Sequence, residues 1–428
     1  MSFPKYLEYK DSGVEWLGEV PAHWEVPRLK HLARIRNGRD YKDVEVESGG
    51  YPVIGSGGEF SRANSYLYKG ESVLLGRKGT IDKPLYINGP FWTVDTMFYT
   101  ELSSRVNGRF LFYYATCFRF DQYSTNTALP SMAQEDLANI QLAAPEPDEQ
   151  AHIATFLDHE TARIDALVEK QGRLIELLKE KRQAVISHAV TKGLDPDAPM
   201  KDSGVEWLGE VPAHWDVMKF VRCVRIAEGQ VDPKLDEYRQ KVLIAPNHIE
   251  SSTGKIICFE TAGEQGAESG KYVCQPGDVV YSKIRPALRK ACILNQSALC
   301  SADMYPLRPF GELSSQFLLW SILSEPFSRL AVLESERVAM PKINRESLNE
   351  IYMAIPPAYE QEKIGRYIAE EIRRLDQLTS IAEDSVGLLA ERRSALISAA
   401  VTGKIDVRGW QPQAGYSAYV EAVQTEVV

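Results

Sequence analysis

No stretch of this sequence strings together the roughly 18 apolar residues that a membrane-spanning helix needs. The start, MSFPKYLEYKDSG, lacks the basic and apolar regions of a secretory signal, so the expectation is a cytoplasmic protein with no membrane partner. Cysteine is sparse. The six residues Cys117, Cys223, Cys258, Cys274, Cys292 and Cys300 are scattered, with no C-x-x-C and no paired Cys and His spacing. That pattern predicts reduced, partly buried thiols, no metal site and no disulfide framework. An excess of positive charge is also missing. A formal net charge of −10, from 49 Lys and Arg against 59 Asp and Glu, argues against a uniformly basic nucleic-acid coat. Any DNA-binding surface has to be a local patch on an acidic body, or be completed by a partner.

Signatures of catalysis are absent too. There is no G-x-x-x-x-G-K-[ST] phosphate loop, because the Gly254-Lys255 pair lacks the preceding glycine. Neither half shows a glycine-rich cofactor loop with the Asn/Asp-Pro-Pro-aromatic tetrapeptide of amino-methyltransferases. No nucleophile with an adjacent base stands out. His23 and His214 sit beside Trp24 and Trp215 in a duplicated segment, and that repetition favours packing or docking over a catalytic pair. His152, His159 and His188 fall in the first half only, which removes a duplicated metal site. These signs leave any catalytic reading weak.

What the sequence does contain is repetition. KDSGVEWLGEVPAHWEV at 10–26 returns at 201–217 as KDSGVEWLGEVPAHWDV, changed only where Glu25 becomes Asp216. A second duplication has a different offset: the segment from Leu129 to about residue 195 aligns without a gap to that from Met340 to about 406. The chain therefore runs leader, variable body, long tail, and then the same again. With 428 residues it exceeds one ordinary core, and the duplication divides it near residue 200.

Both tails carry apolar residues at spacings of three and four, the pattern of one helical face. The stripe includes Leu157, Ile164, Leu167, Leu174, Leu178 and Val185 in the first copy, and Ile368, Leu375, Leu378, Leu389 and Leu396 in the second. Pro145 and Pro147, then Pro356 and Pro357, precede Glu149-Gln150 and Glu360-Gln361, which places acid at the helix start. Gly193 and Gly403 follow the last apolar turn. Some 40 residues make a helix on the order of 60 Å long, whereas a body of about 120 residues spans only some 35 Å. The stripes are therefore expected to pair with each other as a coiled coil. Connectivity favours the antiparallel direction, since the linker TKGLDPDAPMKDSG then stays short. A pseudo-twofold, nearly circular chain follows.

The bodies, roughly 27–128 and 218–339, mix strand-like runs with helices, for an α+β class. Predicted strands include YPVIGS, ESVLLGRKGTIDKPLYI and FWTVDTMFYTEL in the first body, and KVLIAPNHI, GKIICFE, GDVVYSKIRPALRKACIL and MYPLRPF in the second. GRFLFYYATCFRF and SQFLLWSILSEPFSRL are predicted closing helices. Between paired strands lie basic turns with Arg77, Lys78 and Lys83 in one body, and Lys283, Arg285, Arg289 and Lys290 in the other. Cations on such loops can bind phosphates or fork onto guanine edges; a solvated charged hairpin is the plain alternative. Equivalent loops at 124–131 and 335–342 offer Thr125, Asn126, Arg337 and Lys342 for the same purpose.

The leader GVEWLGEVPAHW present twice, the P-P-x-x-E-Q helix start (Pro356, Pro357, Glu360, Gln361) and the alternation of two bodies with two tails closely resemble the DNA-specificity subunit of Type I restriction-modification systems. The first copy departs at Glu146, where the second proline is missing. The resemblance implies two target-recognition domains, each reading one half of a split, asymmetric target in double-stranded DNA. The paired helices would space the halves and bind two methyltransferase subunits, with restriction subunits joining the complex. S-adenosylmethionine, ATP and Mg would then belong to those partners. It also implies a division into 1–140 (leader and first recognition domain), 141–200 (first helical region), 201–350 (repeated leader and second recognition domain) and 351–428 (second helical region and C-terminal tail). A duplicated coiled-coil adaptor without DNA readout is the alternative from another class, and an enzyme with its site in the bodies is a third.

Overall fold

The computed structural model describes residues 3–120, 130–335 and 341–412. The chain forms two compact units, Met1–Gln171 with Asp384–Val428, and Gly172–Glu383. The class is mixed α+β, and no described helix is long and apolar enough to cross a membrane.

In the first unit the leader folds as a hairpin of β1 (Tyr9–Asp11) and β2 (Glu19–Pro21), with Tyr9 opposite Pro21. The body is a sheet of seven strands: β3 (Ala33–Asn37), β4 (Glu45–Val46), β5 (Tyr51–Gly55), β6 (Gly58–Ala63), β7 (Tyr68–Gly76), β8 (Leu85–Thr93) and β9 (Met97–Leu102). Among the described residues their order is β3-β9-β7-β8-β5-β6-β4, with β5 parallel to β8. Helices α1 (Gly108–Ala115) and α2 (Gln134–Asn139) complete it, and α1 is capped by the Asn107 side chain, which accepts from the Phe110 N–H. The long helix α3 (Pro147–Lys192) then begins with Pro147 and Asp148-Glu149 in its first turn, as its fixed φ and the helix dipole favour.

In the second unit the leader repeats as β10 (Met200–Asp202) and β11 (Glu210–Pro212), in the same register, Met200 opposite Pro212. The body differs. β12 (Asp216–Lys219), β13 (Val224–Ile226), β14 (Gln230–Val231), α4 (Asp236–Arg239), β15 (Leu243–Ile244), β16 (Lys271–Cys274), β17 (Val279–Ser282), β18 (Ala291–Ile293), β19 (Ala298–Cys300) and β20 (Met304–Pro309) lead to α5 (Ser315–Leu323), α6 (Glu325–Ser335), α7 (Arg345–Glu350), β21 (Tyr352–Ile355) and α8 (Ala358–Val401). Two four-stranded sheets, β13-β20-β17-β18 and β14-β16-β19-β15, replace the single larger sheet, and β12 pairs with β21. GKIICFE, expected as a strand, is extended chain outside the named strands, joined to 242–250 by isolated bridges such as Ile249 with Ile256 and by a few main-chain bonds. SQFLLWSILSEPFSRL is two helices, α5 and α6, because Pro326 cannot continue a helix begun upstream and instead starts the next one.

Within each unit, segments of the two long helices pack antiparallel. In the first, Asp165 of α3 meets Arg393 of α8 at 2.9 Å, while His152, nearer the start of α3, lies 2.9 Å from the Val407 carbonyl beyond the end of α8. In the second, Arg182 stands 3.5 Å from Asp376, and Ile186, Ala189 and Val190 share a core with Ile364, Ile368 and Ile372. Of the residues expected to pair, Leu157, Ile164, Leu178, Ile368 and Leu375 are buried, Val185, Leu389 and Leu396 are half-buried, and Leu167, Leu174 and Leu378 are exposed.

Candidate nucleic-acid interface

The two leaders hold the helix starts by the same chemistry. Trp24 Nε1–H donates to Glu149 Oε1 at 3.2 Å and His23 Nε2 lies 2.9 Å from Oε2 of the same carboxylate. In the second unit Trp215 Nε1–H donates to Glu360 at 3.1 Å and His214 Nε2 stands 2.7 Å away. Both indoles are fully buried, so each N–H needs an acceptor. Tyr6 adds an O–H bond to Glu149 at 2.8 Å, and burial together with that carboxylate pushes its phenol pKa up.

The residue after each glutamate grips the body. Gln150 Oε1 accepts the Asn107 N–H at 2.9 Å, and its Nε2 donates to the Arg105 carbonyl at 2.9 Å and the Pro145 carbonyl at 2.8 Å. Gln361 repeats this on the Ser314 N–H at 2.9 Å and the Glu312 and Pro356 carbonyls at 3.0 and 2.8 Å. The Glu-Gln pair therefore joins leader, helix and body at one corner.

The helix ends meet the same corners. A Cβ built on Gly403 would lie 2.3 Å from Pro21 and 3.2 Å from the Trp24 ring, while one on Gly193 would lie 3.2 Å from Glu360 and 3.3 Å from Trp215. Both glycines have positive φ, +72° and +76°, the left-handed cap that closes a helix. Each leader tryptophan thus sits between the start of one long helix and the end of the other.

Each basic turn is bound to the segment before its tail by an equivalent pair of main-chain bonds. Gly79 N–H donates to the Pro130 carbonyl and Met132 N–H to the Arg77 carbonyl, both at 2.9 Å; Arg285 N–H donates to the Pro341 carbonyl at 3.0 Å and Ile343 N–H to the Lys283 carbonyl at 2.9 Å. The turn lies between β7 and β8 in one body and between β17 and β18 in the other. The described ends of the second loops, around Pro130 and Pro341, are therefore held against the basic turns. Lys78, Lys83, Arg285 and Lys342 are exposed there. Arg77 donates to the Asp95 carbonyl at 3.2 Å and lies 5.9 Å from the Phe98 ring centre, leaving part of its guanidinium in solvent. Lys283 rests over Tyr305 at 5.2 Å.

Other cations of the turns are used internally. Arg289 donates to Gln183 of α3, and burial pulls its pKa down; Lys290 donates to the Pro246 carbonyl at 2.7 Å. Arg285 and Arg289 have φ of +48° and +47°, a left-handed conformation that costs a non-glycine residue about 1–2 kcal/mol and re-aims both side chains. Thr125, Asn126 and Arg337 lie outside the described residues. Arg345, which the sequence did not flag, stacks over Tyr305 at 4.9 Å beside Lys283 and bonds the Ile226 and Ala227 carbonyls. Its only sequence signal is its position three residues after Lys342.

Residues 21–177 match the family described as the Type I restriction modification DNA specificity domain. The specificity subunit of the EcoDI Type I restriction enzyme from Escherichia coli is 26% identical over 413 residues, 92% of this chain and 91% of that protein. The MjaVIII specificity subunit from Methanocaldococcus jannaschii is 22% identical over 414 residues, covering 91% and 94%. Among solved structures, a chain from a type I R-M system described for its complex assembly and conformational transition superposes with a TM-score of 0.69 at 14% identity, covering 89% of this chain and 98% of that one. The HsdS subunit from Thermoanaerobacter tengcongensis gives 0.53 at 14% identity, covering 90% and 98%; these two likenesses speak to fold. Residues 21–177 thus match the DNA specificity domain of Type I restriction-modification systems, and the chain is similar over most of its length to specificity subunits of such systems.

Proposed function

We propose that each body reads one half of a bipartite, asymmetric target in double-stranded DNA, through the basic turn and the loop bound to it. The observation that carries this reading is the pairing of those two loops by equivalent main-chain bonds on two unlike sheets. A shared frame with different contents suits two readers of different sequence. The long helices, 46 and 44 residues or about 66–69 Å at 1.5 Å per residue, act as an antiparallel coiled coil with pseudo-twofold symmetry and set the gap between half-sites. Their exposed leucines, Leu167 and Leu388 in one unit and Leu174, Leu177 and Leu378 in the other, suit docking of two methyltransferase subunits, which the reading pairs with translocating restriction subunits. The chain performs no catalysis in this reading. S-adenosylmethionine, ATP and Mg, the reagents of methylation and cleavage, sit on the partners.

Methylome sequencing of a host expressing the chain with its methyltransferase tests this, first as it stands and then with the two bodies exchanged. Exchange should reverse the order of the modified half-sites. A complex that shows no salt-dependent DNA affinity would instead support a coiled-coil adaptor for protein assembly.

A further inference from the structure

The second body holds a cluster that DNA reading does not use. Residues 256–262 run antiparallel to 242–249: Ile257 N–H donates to the His248 carbonyl and Leu243 N–H to the Glu260 carbonyl, both at 2.8 Å, with bridges of Val242 to Thr261 and Ile249 to Ile256. In such extended chain, residues two apart share a side, so Cys258 and Glu260 face His248 together. Their ligand atoms all lie within 4.8 Å of one another. We propose that His248, Cys258 and Glu260 bind a zinc-class divalent cation.

Two further observations point to a ligand. His248 Nε2 and Glu260 Oε2 stand 3.4 Å apart, whereas the chain's leader His–Glu pairs close to 2.9 and 2.7 Å. Bonds of about 2.0–2.1 Å from zinc to nitrogen and oxygen, at a tetrahedral angle, span an N···O edge of roughly 3.3–3.4 Å. The separation is that of two ligands around an ion. The other ring nitrogen supplies the second observation. His248 Nδ1 lies 3.2 Å from the Leu243 carbonyl and 3.4 Å from the Ala245 nitrogen, whose N–H donates to it in the other tautomer. An Nδ1–H donated to that carbonyl leaves the Nε2 lone pair aimed at the cluster, the arrangement usual for a metal-bound histidine. Because the imidazole is only 2% exposed, its orientation is fixed by packing.

The donor set selects the metal. One thiol, one imidazole and one carboxylate suit Zn²⁺ or Co²⁺, whereas Mg²⁺ and Ca²⁺ prefer oxygen alone. Binding converts the Cys258 thiol to thiolate and releases its proton to solvent. Three protein ligands leave the fourth position to water, and the exposure of Cys258 gives that water access. The ion would tie His248 to residues 258–260 and so close the intervening turn. Ser252 of that turn accepts an Arg182 N–H at 2.5 Å, and Lys255 pairs with Asp376 at 2.8 Å. The metal therefore fastens the turn that seats the second body on α3 and α8. The site escapes the sequence because histidine and cysteine are ten residues apart with no repeated ligand pair.

The test uses the full-length chain stripped with a chelator and titrated with Co²⁺ alone. One equivalent should produce thiolate-to-cobalt charge transfer in the near ultraviolet and d–d bands in the visible, both displaced by Zn²⁺. Cys258→Ser, at an exposed position that leaves folding intact, should lose the near-ultraviolet band, and Glu260→Gln should bind about tenfold or more weakly. Absence of a saturable band, or a band unchanged in Cys258→Ser with its melting temperature preserved, would overturn the site. No DNA enters the readout, so the outcome is independent of the target-reading proposal.

Discussion

The Trp215 indole N–H donates to the Glu360 carboxylate at 3.1 Å, as Trp24 does to Glu149 at 3.2 Å. Each bond links a leader to the first turn of a long helix, across 145 residues in the second unit and 125 in the first. A bond to a charged acceptor contributes about 1.5–3 kcal/mol. Phenylalanine in place of either tryptophan keeps most of the ring contact and removes the donor, so Trp215→Phe and Trp24→Phe should each lower the melting temperature by several degrees. Unchanged melting in both would mean that the bond is incidental to stability.

The glycines beyond the helices should respond unequally to alanine. Both pay about 1–2 kcal/mol for a side chain at positive φ. Gly403 adds a 2.3 Å clash with Pro21, whereas Gly193 meets nothing nearer than 3.2 Å. Gly403→Ala is therefore expected to be the more destabilising in denaturant unfolding, and the opposite order would contradict the packing described.

Two arginines of one turn should separate by role. Arg285 is exposed, and its replacement by alanine should cost about 1–3 kcal/mol of DNA affinity in the assembled complex and relax one half of the methylated sequence. Arg289 is held by Gln183, so its replacement should lower thermal stability and leave the half-sequence unchanged. Methylation mapping together with melting curves distinguishes the two; a relaxed half-site in Arg289→Ala would reverse the assignment.

If the helices measure the target, inserting seven residues into each should lengthen the strut by about 10 Å, close to three base pairs of B-DNA at about 34 Å per turn. The gap between half-sites should grow while both half-sequences stay the same. An altered half-sequence with an unchanged gap would remove the ruler.

Tyr6 offers a pH signature. Burial, then the bond and charge of Glu149, raise its pKa above the ordinary 10. A raised pKa stabilises the fold fully below the unfolded value and is lost as pH climbs past 10. Each proton so linked is worth about 1.4 kcal/mol per pH unit. Melting temperatures taken between neutral and strongly alkaline pH should fall less steeply in Tyr6→Phe than in the unaltered chain; parallel curves would show that Tyr6 is not linked.

The frame was far more legible in the sequence than its contents. Near-identical leaders fold into hairpins of the same register, and the spacing of Leu157 and Ile164 marks the buried face of α3 because helical periodicity is local. Leu174 and Leu378, near the middle of the stripe, are left in solvent; a spacing of three and four cannot tell a covered face from an uncovered one. Sheet order escaped altogether, since pairings such as β3 with β9 or parallel β5 with β8 leave no trace in nearby residues. The basic turns were found from composition, yet the engagement of Arg289 and Lys290 by Gln183 and Pro246 depends on distant chain. Glu149 and Glu360 are legible as helix-start acids, whereas their hold on the leader tryptophans joins residues 125 and 145 positions apart.

The hydrogen bonds of Gln150 and Gln361 to the bodies go to a main-chain N–H and a carbonyl. Every residue type except proline carries that N–H, and all carry the carbonyl. The socket is thus blind to side chains, and whatever it holds can drift in sequence, even into a different sheet, without loosening the joint. Substitutions that change what a lobe recognises need no compensating change in the corner that secures it.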